Sequence, residues 1–191
     1  MNDIQRAAGQ GLRTALLALD VSAAFDAVHH ETLLDRACTV FGVNDVALDW
    51  IRSFVSGRTQ QIVVGSEKST VFASSSGVPQ GSVGPMLFSM YVSPVGDVVA
   101  QHRVHFHQYA DDMQLYVALR PQDCVSIPSL EQCATDVSRW FTENSLLLNP
   151  TKTEAVLFRT GQRLRQVPSI PGVDVAGTIV SSSLMTSSSW E

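Results

Sequence analysis

Apolar and polar positions follow two different periods along this chain, and the changes of period mark its elements. Thr14 to Leu19 is a nearly continuous apolar run of strand length, which predicts a buried strand, and Ser22 to Val28 leaves it as a turn or short helix. Helical spacing follows over His30 to Phe41. After the cap candidate Asn44 it resumes over Asp45 to Phe54, where Val46, Ala47, Trp50, Ile51 and Phe54 share a face. Gln60 to Val64 and Ser69 to Ala73 flank Gly65-Ser66-Glu67-Lys68 as a predicted hairpin.

Ser74 to Ser82 is a loop with two glycines and a proline, opening a helical run from Pro85 to Tyr91 or beyond. Val104 to Ala110 and Met113 to Leu119 both have strand character, so the pair Asp111-Asp112 falls in the turn of a second hairpin. Pro128 starts a helix in which Leu130, Cys133, Val137, Trp140 and Phe141 recur at helical spacing, and Thr153 to Phe158 is a last strand. Beyond Gly161 the chain turns rich in Pro, Gly and Ser. The organisation expected is one domain over residues 1–180 and a frayed or degenerate tail over 181–191.

A chain of 191 residues that is 45% hydrophobic can bury a core of its own. Its net charge of -5 lacks the basic footprint of proteins that grip a phosphate backbone tightly and alone. No apolar run is long enough to cross a bilayer, and Met1 to Gln10 lacks a signal-peptide core, so an intracellular, membrane-free location is expected. Cys38, Cys124 and Cys133 are odd in number without paired spacing, which predicts buried free thiols. His105 and His107 share a strand face near His102, but no fourth ligand for zinc is evident, and the three read as structural.

The chemistry lies in the acids. Asp20 ends the first strand, and Asp111 and Asp112 sit side by side between apolar runs. Two carboxylates about 4 Å apart repel by roughly 4 kcal/mol at an effective dielectric near 20. A pair of hard divalent cations removes that conflict.

Four segments stand in order: Ala18-Leu19-Asp20-Val21-Ser22-Ala23-Ala24-Phe25-Asp26, the loop Gly77-Val78-Pro79-Gln80-Gly81-Ser82, the box Tyr109-Ala110-Asp111-Asp112, and Asn149-Pro150-Thr151-Lys152-Thr153-Glu154. Together they resemble the palm of reverse transcriptases from non-LTR, LINE-type retrotransposons. The resemblance implies an α+β fold: a polymerase palm whose antiparallel sheet carries Asp20 and the Asp111-Asp112 hairpin and is backed by helices, with incomplete fingers and no thumb. It implies RNA-templated DNA synthesis, with an RNA template, a DNA primer and deoxynucleoside triphosphates as partners. Two Mg²⁺ ions, replaceable by Mn²⁺, would be bridged by Asp20 and Asp111, with Asp112 as third acid and the Val21 carbonyl as a further ligand.

By the same resemblance, Phe25 lies beneath the sugar and excludes a 2'-hydroxyl, and Gly77, Gln80 and Gly81 approach template and incoming nucleotide. Tyr109 joins Gly77 in contact with template and primer, and Lys152 assists the pyrophosphate leaving group. Arg58 falls where the family has an arginine, without a derivable role. The family's loop reads one residue longer between Val83 and Gly84, and the basic fingers segment expected before Asp20 and the strand expected after Ile179-Val180-Ser181-Ser182 are not found. A fragment with little processive synthesis is therefore expected. A non-catalytic remnant that binds RNA or protein, an RNA polymerase and an intron maturase are the alternatives, Phe25 arguing against the RNA polymerase.

Overall fold

In a computed structural model the described residues are 2–81, 83–120, 125–149, 151–159 and 172–186. Ser82, Cys124, Pro150 and positions 187–191 of the expected tail lie outside them. The chain opens with helix α1 (Asn2–Gly9), strand β1 (Arg13–Leu19), the short β2 (Val21–Ser22) and a 3-10 turn at Ala24–Ala27. Helices α2 (His30–Thr39) and α3 (Asp45–Val55) follow, then strands β3 (Thr59–Gln60), β4 (Val63–Val64), β5 (Glu67–Lys68) and β6 (Phe72–Ala73). Next are α4 (Gly84–Val92), α5 (Val95–Ala100), β7 (His105–Tyr109), β8 (Asp112–Leu119) and α6 (Ser126–Glu143). The described chain ends with β9 (Leu147–Leu148), β10 (Glu154–Arg159), β11 (Gly172–Val175) and β12 (Thr178–Thr186).

These elements form two compact units, one of residues up to Ser22 and from Pro94 onward, the other Ala23–Ser93. The first is built on a six-stranded sheet in the order β11-β12-β10-β1-β8-β7. Its central strand β1 lies antiparallel to β8 and β10, in the register Leu17↔Leu115 and Leu19↔Met113 on one side and Leu16↔Val156 on the other. Alternate residues point to opposite faces, and β1 is apolar on both. Leu17, Leu115, Met113 and Leu19 are buried, as are Leu130, Cys133, Val137 and Phe141 of α6, which packs on β8. On the other face Leu16 and Tyr116 form a cluster with Ile4 of α1, flanked by Ala18 and Phe158. The Tyr116 hydroxyl there donates to Asp3 Oδ2 at 2.8 Å, which holds the Asp3 carboxyl below its ordinary range.

In the second unit α2 buries Leu33, Leu34 and Ala37, and α4 buries Leu87, Phe88 and Tyr91. The Arg36 guanidinium lies over the Tyr91 ring at 4.9 Å and donates to the Tyr91 carbonyl. The β4–β5 ladder, Val63↔Lys68 and Val64↔Glu67, makes the expected hairpin tighter than its sequence boundaries by drawing Glu67 and Lys68 into a strand.

The structure departs from expectation at five places. The sheet is mixed, because β10 and β12 run parallel. The strand β12 continues through Thr186, past the expected start of a tail at Ser181, since its backbone groups pair with β10 and β11. The shared face of α3 does not turn inward: Ile51 and Val55 are buried, whereas Val46 is 83% and Trp50 51% exposed. Asn44 makes no cap with its side chain, which instead donates to the Gly42 carbonyl. Cys38 is half-buried rather than buried, with its thiol donating to Asn44 Oδ1, while Cys133 is free and fully buried.

Two outcomes follow from this core. Leu17→Ala, which removes a fully buried side chain from the central strand, should lower stability by about 2–5 kcal/mol in urea or thermal unfolding. Burial, with Asp136 adding to it, pushes the Cys133 thiol up to about 12 from 9.0. The neutral thiol's contribution to stability is therefore complete below pH 9 and lost as pH rises toward 12. Iodoacetamide at pH 8 should modify Cys38 and leave Cys133 untouched in the native protein, as read by peptide mass mapping; equal modification of both would contradict the burial.

Candidate functional site

The first unit carries Asp20 and the pair Asp111-Asp112 at the ends of neighbouring strands. β1 ends in the pair Leu19↔Met113. One further step of that antiparallel register sets Asp20 alongside Asp112, the first residue of β8. Leu19 and Met113 are buried beneath α6's side of the sheet, so alternation turns Asp20 and Asp112 to the opposite face. Asp20 is half-buried and Asp112 exposed.

Asp111 stands beside them in the turn. The pair Tyr109↔Asp112 closes the β7–β8 hairpin, leaving a two-residue turn, Ala110 and Asp111, so Asp112 belongs to the strand rather than to the turn. Ala110 has φ 52, a left-handed conformation that costs a residue with a Cβ about 1–2 kcal/mol. Burial of its methyl group and a hydrogen bond from Gln108 Nε2 to its carbonyl at 3.2 Å hold it there. Tyr109 is 81% exposed at the edge of this turn.

On the other side of β1 a second device aligns the site. Asn149 N–H donates to the Asp20 carbonyl at 2.8 Å, continuing the β2–β9 ladder, Val21↔Leu148 and Ser22↔Leu147. Because carbonyls along a strand alternate in direction, the Val21 carbonyl points away from β9. The Asn149 side chain accepts from Thr151 N–H at 3.2 Å and Thr151 Oγ at 2.7 Å, and its carbonyl accepts from Lys152 and Thr153. This side-chain-capped turn sets Lys152 Nζ 4.0 Å from Asp20 Oδ2. With the two side chains 70% and 32% exposed, the pair contributes at most about 1 kcal/mol; its importance is positional. Asn149 is a site-shaping residue that the motif alone does not mark, and its signal in the sequence is an Asn before a Pro-Thr pair, a turn former.

Among the described residues no three metal-ligating side chains converge into one group. The donors nevertheless suit a hard divalent cation, because magnesium-type ions take one or two carboxylates and complete their shell with water and phosphate oxygens rather than a closed protein cage. Asp20, Asp111, Asp112 and the Val21 carbonyl are such donors. Two of the three histidines have other partners: His102 Nε2 lies 3.1 Å from Asp136 Oδ2, and the His105 ring stacks on Tyr116 at 5.5 Å.

The second unit holds Phe25, Gly77, Gln80 and Gly81. Gly77 has φ 88, and a Cβ there would meet Asp26 Cα and carbonyl oxygen at 3.2 Å. Its N–H donates to Val28 and Val78 N–H to Phe25, each at 2.8 Å, while its carbonyl accepts from His30 Nε2 at 2.8 Å. The loop is thus strapped to the turn that bears Phe25, and the buried His30 is a strap that periodicity alone did not reveal. Gln80 and Gly81 stay exposed. The half-buried Phe25 ring rests on Phe88, centroids 5.3 Å apart. A Cβ on Gly84 would overlap the Pro79 carbonyl oxygen, so the loop, one residue short, closes directly onto the start of α4.

Known proteins resemble the chain in both sequence and fold. It is 33% identical over 172 residues to the RNA-directed DNA polymerase from mobile element jockey of Drosophila melanogaster, covering 85% of this chain and 18% of that protein. It is 28% identical over 152 residues to the Pol polyprotein of the type-1 retrotransposable element R2 of Popillia japonica, covering 74% of this chain and 24% of that one. The chain thus spans about a fifth of these relatives' length. Telomerases of Candida tropicalis and Candida albicans, solved with a fragment of telomeric RNA, share its fold at TM-scores of 0.60 and 0.63 with 12% and 13% identity, covering 94% of this chain and 31% and 32% of theirs. No helix among the described residues is long and apolar enough to cross a membrane. Residues 2–183 match the family described as reverse transcriptase (RNA-dependent DNA polymerase), whose members use divalent metal ions. The chain belongs to the reverse transcriptase family.

Proposed function

We propose that this chain is the palm portion, with part of the fingers, of a retrotransposon RNA-directed DNA polymerase. It would extend a DNA primer on an RNA template from deoxynucleoside triphosphates. The observation that carries this reading is the β1–β8 register, which sets Asp20 beside Asp112 at the mouth of the Asp111 turn, with Lys152 Nζ 4.0 Å from Asp20.

In this reading Asp20, Asp111, Asp112 and the Val21 carbonyl would hold the divalent ions, Mg²⁺ or Mn²⁺ in its place. Such ions, when bound, lower the pKa of a primer 3'-hydroxyl and neutralise the triphosphate. The 3'-oxygen attacks the α-phosphorus as the bond to pyrophosphate breaks, and the hydroxyl proton passes to solvent. Lys152 neutralises the departing pyrophosphate or gives it a proton. Phe25, backed by Phe88, presents a flat wall against a 2'-hydroxyl. Gly77 and Tyr109 contact template and primer, and Gln80 and Gly81 the nascent pair, which glycine lets the backbone approach closely.

Two measurements test this. Mg²⁺ should raise the melting temperature of the protein by mass action, and Asp20→Asn or Asp111→Asn should remove that rise and cut primer extension about 100-fold or more, as the loss of several kcal/mol of charge stabilisation requires. A magnesium response unchanged in both variants would overturn the metal assignment. Phe25→Ala should lower discrimination between deoxy- and ribonucleotides by about tenfold or more in single-nucleotide extension while deoxynucleotide use persists; unchanged discrimination would remove Phe25 from the sugar contact.

A further inference from the structure

Helix α3 turns Ile51 and Val55 inward and leaves the adjoining flank open to solvent, where Trp50 is 51% exposed. On that flank the Trp50 and Phe54 rings are nearly parallel, 14° apart with centroids 5.5 Å from each other. Arg58, just past the helix end, continues the row: its guanidinium carbon lies 5.4 Å from the Phe54 ring centre, and Nη1 donates to the Phe54 carbonyl at 2.9 Å. Three flat groups therefore stand in a row, two on the helix and the third just past its end, where a hydrogen bond to the Phe54 carbonyl holds it. The neighbouring Arg52 spends its charge on Asp49 at 3.4 Å, whereas Arg58 makes no ion pair among the described residues.

We propose that Trp50, Phe54 and Arg58 form a stacking platform for single-stranded nucleic acid. Unpaired bases extend the row of rings, and the Arg58 guanidinium stacks on a base while facing a phosphate. An apolar protein partner suits the row less well, since covering it would bury a cation without a counter-charge. A duplex offers no free base faces. Because the chain carries a net charge of -5, stacking rather than a basic field must supply the affinity, so binding should depend only weakly on salt. The inference rests on the reading of the chain as a nucleic-acid enzyme and assigns a contact surface outside the metal site.

The test is fluorescence anisotropy of a labelled single-stranded oligouridylate with the full chain in EDTA, with and without a competing duplex. The wild type should bind the single strand in preference to the duplex. Trp50→Ala should weaken binding by about 5- to 100-fold. Arg58→Gln should weaken it too and reduce the slope of log affinity against log salt by about 0.7, the value for one single-strand phosphate; Arg58→Lys should restore the slope but not the full affinity. Melting temperatures check that each variant folds, and the two Arg58 substitutions stand if Trp50→Ala does not. Unchanged affinity in the Trp50 and Arg58 variants, equal binding of duplex, or no binding by the wild type would overturn the platform. So would self-association that Trp50→Ala abolishes while RNA binding stays the same. Binding in EDTA reads the platform and the magnesium-dependent rise in melting temperature reads the metal site, so failure of the one and failure of the other are distinguished.

Discussion

The antiparallel pairing of β1 with β8 is the constraint on which the acidic site depends. Leu17 faces Leu115 and Leu19 faces Met113, all four nearly or fully buried. Burying side chains of this kind is worth roughly 1.5–3 kcal/mol each. A slip of one residue would turn that whole set to the other face of the sheet and carry Asp20 or Asp112 beneath α6. Apolar burial therefore fixes the backbone register at whose end Asp20 and Asp112 follow.

Local devices complete what the ladder begins. Ala110 takes a left-handed conformation that lets the hairpin turn within two residues, so that Asp111 follows directly and Asp112 is already in register. Asn149 binds the Asp20 carbonyl through its backbone and organises its own turn through its side chain, bringing Lys152 within 4.0 Å of Asp20. In the other unit the Gly77 loop is tied to the Phe25 turn by backbone bonds and by His30. Main-chain hydrogen bonds thus hold Asp20 and the Gly77 loop, while the Lys152 side chain reaches Asp20.

The exposed flank of α3 is of another kind. Helical periodicity puts Val46, Ala47, Trp50, Ile51 and Phe54 on one face, but only its Ile51 edge, together with Val55, is covered. Large apolar groups left in water on an ordered helix mark a surface that something else meets. The neighbouring Arg58 turns a merely apolar strip into one with a defined chemistry.

Most elements were legible in the sequence because their periods are strong. The apolar run Thr14 to Leu19, the two runs around Asp111-Asp112 and the spacing from Leu130 to Phe141 each correspond to an observed strand or helix. The four motifs marked the acids, the glycine loop and Lys152. What escaped was short or set by distant partners. β9 is two residues long, β12 exists because β10 and β11 supply hydrogen bonds, and α1 is held by Leu16 and Tyr116. Residue order by itself determined which segments are strands or helices, through local spacing, and which side chains are candidates for the chemistry, through the four motifs. Only the tertiary structure decided that Asp20 lies beside Asp112, that Lys152 reaches Asp20 and that Trp50 faces solvent, because register and burial arise between segments far apart in the chain.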